Sequence, residues 1–156
     1  MKSIPFIISI ILLFTSCHSV KPVAPATPES GGSEKFYASK WSLREVEGLT
    51  LLPSSVGKEA YLLFFPGQVS KVSGSTGCNK LNGTFELSAG QKIKFSPLAT
   101  TKMMCPPDGN KTEQRFLSAL ARVDNYYFSD NSLVLLKGKL IVSRLVATPA
   151  DQPTGN

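Results

Sequence analysis

Cys78 stands between Gly77 and Asn79 in the run GSTGCNKLNGTF, residues 74–85, and Cys105 closes TTKMMC, residues 100–105. Cys17 is the chain's third thiol, and His18 is its single histidine. A nucleophilic thiol needs a neighbouring base to form the thiolate. The candidate nearest to Cys78 is Lys80, a poor substitute for an imidazole. A zinc site made of two cysteines and no histidine is short of ligands. Glu45, Glu47, Glu86 and Asp108 supply carboxylates, but no pair among them has a spacing that argues for acid–base work. These residues point away from turnover, so the expectation is a protein that is not an enzyme, with no metal and no cofactor. Cys78 and Cys105 are left with two main readings: a covalent bridge, or two reduced thiols packed as small hydrophobes.

The start of the chain bears on that choice. Lys2 precedes an apolar stretch from Ile4 to Phe14, followed by Thr15, Ser16 and Cys17. The stretch is too short to span a bilayer, which takes about 20 apolar residues, and its layout is that of an export signal, residues 1–16, removed on maturation. LFTSC, residues 13–17, resembles the bacterial lipobox, with Phe14 where leucine is usual. The resemblance implies that the Cys17 thiol carries diacylglycerol and that the new amino terminus is acylated. At about 0.8 kcal/mol per buried methylene, such chains hold a protein at a membrane surface. An ordinary signal peptide with a chance cysteine is the alternative. His18 stands where an aspartate would retain such a protein at the inner membrane, so the expected place is the outer membrane, facing the periplasm. That compartment oxidises thiols. A bridge from Cys78 to Cys105 would close a loop of about 28 residues and stabilise the fold by roughly 3 to 4 kcal/mol, provided that the α-carbons approach to about 4.4–6.8 Å.

Around these residues the chain divides into four parts. Residues 17–35 are rich in proline, glycine and serine without apolar periodicity, and read as a disordered tether. Residues 36–148 have the size of one domain, and residues 149–156 read as a disordered tail. The whole chain has 17 Lys and Arg against 11 Asp and Glu, a formal net charge of +6. The lysines are scattered beside turns, as on a solvated surface, and no nucleic-acid partner is expected. Within the domain, KWSLREVEG places Trp41 and Leu43 on one face and Ser42 and Arg44 on the other, and AYLLFF, residues 60–65, reads as a central strand. GTFEL, KIKFS, NYYF, SLVLL and KLIVSRLVA continue the pattern between turn-forming residues. Phe116, Leu117, Leu120 and Val123 recur at helical spacing, with Asn110 as a candidate N-cap and Glu113 three residues on. The expected fold is α+β and mainly antiparallel, with about seven or eight short strands in a barrel-like or strongly curved sheet and one packed amphipathic helix. Trp41 reads as a core filler, and Met103 and Met104 as gap fillers. Gly77 and Gly83 read as backbone positions that a side chain would forbid, and Asn79 as a turn residue.

Read together, WSLREVEG, AYLLFF, GSTGCNKLNGTF, LATTKMMCPP, EQRFLSAL and YYFSDNSLVLL resemble the META domain, also called the HslJ-like family. The most specific pieces are GCN at 77–79 and TTKMMC at 100–105, and Gly77, Gly83, Thr101 and Glu113 fall where that family places them. The resemblance implies a compact antiparallel β-fold with one helix. It also implies an association with heat shock, envelope stress and novobiocin tolerance, with no established catalytic residues. The expected function is a non-enzymatic, lipid-anchored envelope protein that supports stress tolerance by binding a protein or envelope component not identified by the sequence. The alternative is a small lipoprotein inhibitor of a host hydrolase such as lysozyme. SGSTG, residues 73–77, begins like one inhibitor motif but lacks its tyrosine. Oligomeric state is not legible.

Overall fold

The computed structural model describes residues 31–52 and 58–148. The expectations for the signal peptide, for Cys17 and His18, for the tether up to residue 30 and for the tail fall outside the described residues. A short helix, α1 (Gly31–Tyr37), is followed by β1 (Lys40–Val46), β2 (Leu49–Thr50), β3 (Ala60–Phe65), β4 (Lys71–Thr76), β5 (Lys80–Ser88), β6 (Lys92–Phe95) and β7 (Ala99–Thr100). The longer helix α2 (Pro107–Arg122) then leads to β8 (Asn125–Ser129), β9 (Ser132–Lys137) and β10 (Leu140–Thr148).

All the pairings are antiparallel, and they run β10-β9-β8-β6-β5-β4-β3-β1, with β1 pairing in turn with β10. Eight strands therefore close a ring, which removes the exposed edges that an open sheet would carry. β2 and β7 lie outside the ring, on β1 and β5. The expected seven or eight strands match the ring. The two additional strands are two-residue pieces, too short to show any alternation. Closure is uneven: six register pairs join β1 to β10, but a single pair, Lys92 with Asn125, joins β6 to β8.

Alternation fills the interior. Ala60, Leu62 and Phe64 of β3 point inward, as do Leu81 and Phe85 of β5, Ile93 and Phe95 of β6, and Leu133 and Leu135 of β9. An eight-stranded barrel has room for just such side chains. The run AYLLFF, apolar throughout, hides this alternation, since Phe65 ends the strand exposed. Ser42 lies on the face of β1 opposite Trp41 and Leu43. It is fully buried, and its hydroxyl pairs with that of Thr148 at 3.0 Å on the neighbouring β10.

Helices close the two mouths of the barrel. Residues 31–35, expected to belong to the tether, are instead helical within α1, because Phe36 anchors them. Its ring is buried among Phe64, Tyr126 and Phe128, with centroids 4.9, 4.8 and 5.1 Å away. The Trp41 indole N–H donates to the Phe36 carbonyl at 3.0 Å, so Trp41 fills core as expected and also fastens α1. At the other mouth, α2 presses Thr112, Phe116, Ala119 and Leu120 inward, a stripe at i, i+4, i+7 and i+8. Leu117 is half-buried beside that stripe, and Val123 is buried just past the helix end.

The start of α2 corrects the sequence reading. The helix begins at Pro107, not after Asn110, and its N-cap is Pro106 with no side-chain capping bond. Pro107 suits the first helical position because the missing N–H would be unpaired there anyway. Asn110 is inside the helix. Its N–H donates to the Pro106 carbonyl at 3.0 Å and its side-chain amide to the Cys105 carbonyl at 3.3 Å.

Candidate functional site

The turn from β4 into β5 is built for tightness. Gly77 holds φ at 95°, a conformation open to glycine and strained for other residues. The Thr76 N–H donates to the Asn79 carbonyl at 2.8 Å, and the Asn79 N–H returns to the Thr76 hydroxyl at 3.0 Å. The Gly77 N–H is taken by the Ser75 hydroxyl at 3.1 Å. The turn therefore presents Cys78 and the Asn79 side chain toward the start of α2.

There Cys78 and Cys105 form a disulfide, 27 positions apart with α-carbons 5.9 Å from each other. That distance lies in the ordinary range for bridged cysteines. The bridge ties the β4–β5 turn to the residue that leads into α2, and Gly109 on the first turn of the helix is buried where an added Cβ would lie 3.8 Å from the β-carbons of both cysteines. This covalent entry does the positioning that a capping side chain was expected to do.

Asn79 is the centre of the surrounding polar network. Its side-chain oxygen accepts from the Met103 N–H at 2.7 Å and from the Thr101 hydroxyl at 2.9 Å. Its amide donates to Glu113 Oε2 at 2.8 Å. Thr76 gives its hydroxyl proton to the same carboxylate oxygen at 2.5 Å. Thr101 is fixed from the other side as well: its N–H donates to the Lys80 carbonyl at 3.0 Å, and the Lys80 N–H donates to the Thr101 hydroxyl at 3.1 Å. Asn79 and Thr76 are both buried. In such surroundings an unmatched polar atom would be costly, and here each one has a partner.

The remaining sequence candidates fall in two places. Gly83 lies farther along β5, where an added Cβ would collide with the Leu98 side chain. Trp41 is at the opposite mouth with α1. Met103 and Met104 are not gap fillers: they are 54% and 101% exposed, because the backbone of residues 101–105 is held by Asn79, Lys80 and the disulfide in a course that turns their side chains outward. Glu113 likewise departs from its sequence reading. Its place at the third position of a capping box suggested a local partner, yet its bonds go to Thr76 and Asn79, 37 and 34 positions away. The chain motif TxxN from Thr76 to Asn79 is the one local signal for this arrangement. Among the described residues, no three of His, Cys, Asp and Glu gather into a group that could hold a metal ion.

Comparison with known proteins agrees with this architecture. The sequence profile of the META domain matches residues 34–149. Similar solved structures include an NMR structure of a protein from Burkholderia xenovorans, 22% identical, covering 83% of this chain and 95% of its own, with a TM-score of 0.61. A second NMR structure, 23% identical, covers 78% and 96% with a TM-score of 0.56. The crystal structure of a DUF4847 family protein from Bacteroides vulgatus is 16% identical, covers 76% and 99%, and has a TM-score of 0.53. At these identities the likeness concerns the fold. No curated protein matches the chain.

Proposed function

The chain belongs to the META domain family, and from that premise we propose that it is a non-enzymatic binding module of the bacterial envelope, tethered through a lipid on Cys17 and supporting stress tolerance through a partner. The observation that carries this reading is the braced display of Met103 and Met104, 54% and 101% exposed on a loop that a disulfide and three side-chain-to-backbone or side-chain bonds hold still. Methionine adapts its shape to an apolar partner, and a loop fixed beforehand loses little entropy on contact. The motif around it supports a scaffold in preference to turnover, since the hydrogen-bonding atoms of Asn79, Thr76 and Thr101 are spent on one another and on Glu113.

The test replaces the native chain in its host by a Met103→Asp/Met104→Asp variant, under heat and novobiocin challenge, beside a deletion and a control, Val69→Asp, at an exposed apolar residue between β3 and β4. The expected result is sensitivity in the deletion and in the methionine variant, at unchanged protein level, with the control resistant. A resistant deletion strain overturns the stress role, and full tolerance in the methionine variant overturns the contact surface. Mass spectrometry of the mature membrane-extracted protein checks the acyl groups on Cys17.

A further inference from the structure

An open trough runs between the outer side of α2 and the far half of β6. Its first part, about 370 Å³, is lined by Phe95, Ser96, Pro97, Leu98, Leu117 and Ala121. Its second part, about 540 Å³, shares Ala121 and is flanked by Lys92, Lys94, Arg122 and Lys137, with Glu86 and Asp124 as its carboxylates. One end is apolar and the other basic, and the size falls within the range of small-molecule sites.

The trough follows from the weak closure of the ring. β6 and β8 share only the pair Lys92 and Asn125. Beyond it, β6 leaves β8 and faces the end of α2. The β6 wall is rigid where it passes into Pro97. The Ser96 N–H donates to the Thr84 carbonyl at 3.0 Å, the Thr84 N–H donates to the Ser96 hydroxyl at 3.2 Å, and the two hydroxyls lie 2.6 Å apart. Leu98 is wedged over Gly83, which fixes the apolar end. The opposite wall is a packed helix, so the cleft exists before anything enters it.

The charges in the trough are unequally committed. Lys137 pairs with Asp124 at 3.0 Å, and Arg122 pairs with Glu47. Among the described residues, the Lys92 ammonium reaches only the neutral Asn125 side chain, at 2.6 Å. The Lys94 side chain is exposed and makes no hydrogen bond or ion pair among the described residues, with Glu86 opposite it across the β5–β6 ladder. Two residues apart on one strand, Lys92 and Lys94 project from the same face of β6.

We infer that this trough binds an anionic single-chain amphiphile, its apolar body along Pro97, Leu98 and Leu117 and its phosphate or carboxylate head beside Lys92 and Lys94. The inference does not depend on the methionine loop or on any lipid carried by Cys17.

The isotope-labelled full chain is titrated, below micelle-forming concentrations, with dodecyl phosphate, dodecyltrimethylammonium and inorganic phosphate. Dodecyl phosphate is expected to shift the amide signals of residues 92–98 and 117–124 saturably, and inorganic phosphate to need at least about tenfold more ligand for any effect. Lys92→Glu/Lys94→Glu is expected to weaken dodecyl phosphate about tenfold or more with an unchanged melting curve, and Leu117→Asn to weaken it without altering the response to inorganic phosphate. The inference is overturned if the cationic amphiphile binds the same residues as tightly, if inorganic phosphate matches dodecyl phosphate, if the shifts lie elsewhere, or if no saturable change occurs.

Discussion

The Asn79 side chain donates to the Glu113 carboxylate at 2.8 Å across 34 positions of chain, joining the β4–β5 turn to the second turn of α2. Because Asn79 also accepts from Met103 and Thr101, its loss would strand several buried groups at once. Asn79→Ala is expected to destabilise the fold by about 2–4 kcal/mol, since hydrogen bonds to a charged group contribute about 1.5–3 kcal/mol and an orphaned buried partner adds to that. Urea unfolding checks it. A double-mutant cycle with Glu113→Ala should show a coupling of about 1 kcal/mol or more, and additive effects would contradict the contact.

The Cys78–Cys105 bridge should contribute about 3–4 kcal/mol through loop closure. Unfolding of the Cys78→Ser/Cys105→Ser variant against the native chain measures it. Mass spectrometry after alkylation without reduction should find neither thiol modified, and labelling of both at native pH would refute the bridge.

Acid should weaken one side of the barrel through Glu59. Burial raises its pKa, but the hydrogen bonds from Ser42 and Lys40 and the charges of Lys40 and Arg44 outweigh this and leave it below 4.5. A carboxylate depressed in the folded state adds stability above its unfolded pKa and loses it as pH falls through the folded value. Stability should therefore begin to drop near pH 4.5 and continue to fall below it, with a shallower acid limb in Glu59→Gln. Much of the ion-pair share is screened, since the Glu59 side chain is 35% exposed and the Lys40 contact at 3.0 Å lies near the surface. An unchanged pH profile in the variant would show that Glu59 contributes nothing.

Phe36→Ala is expected to cost about 3–5 kcal/mol, the range for a buried aromatic, although Phe36 belongs to a helix of only seven residues at the edge of the described chain. Thermal unfolding measures it. A loss below about 1 kcal/mol would mean that α1 is not part of the cooperative unit.

Ser143 is fully buried, and its hydroxyl has no hydrogen-bond partner among the described residues. An unmatched buried hydroxyl carries an unreturned desolvation cost of about 1–3 kcal/mol. Ser143→Ala should be neutral or stabilising by up to about 1 kcal/mol. A clear loss of stability would reveal a partner for that hydroxyl.

The strands that close the ring were legible because period-two alternation and turn residues are local signals, as GTFEL and KIKFS show. Trp41 as core and the bridging of Cys78 with Cys105 could likewise be anticipated, the second from the expected compartment and not from spacing. The sequence misplaces the N-terminus of α2 because Asn110 and Glu113 carry a capping pattern, whereas the bridge at Cys105 and Pro107 fix the entry. In the sequence Met103 and Met104 look like filling, because side-chain type says nothing of how a cross-linked loop turns. The Asn79 network was illegible for a related reason: its members come from β4, the 101–105 segment and α2, and only folding brings them within bonding distance. α1 was hidden in a polar, glycine-containing segment whose order rests on one phenylalanine.

The ring has its first and last strands side by side, since Lys40 registers with Thr148 and Val46 with Ser143. A nascent chain thus cannot seal its barrel until its final strand has been made, and synthesis leaves a gapped half-cylinder waiting for its C-terminal stave. Pairing across so long a separation makes folding slow. Removing β10 should leave an aggregation-prone intermediate, not a smaller domain.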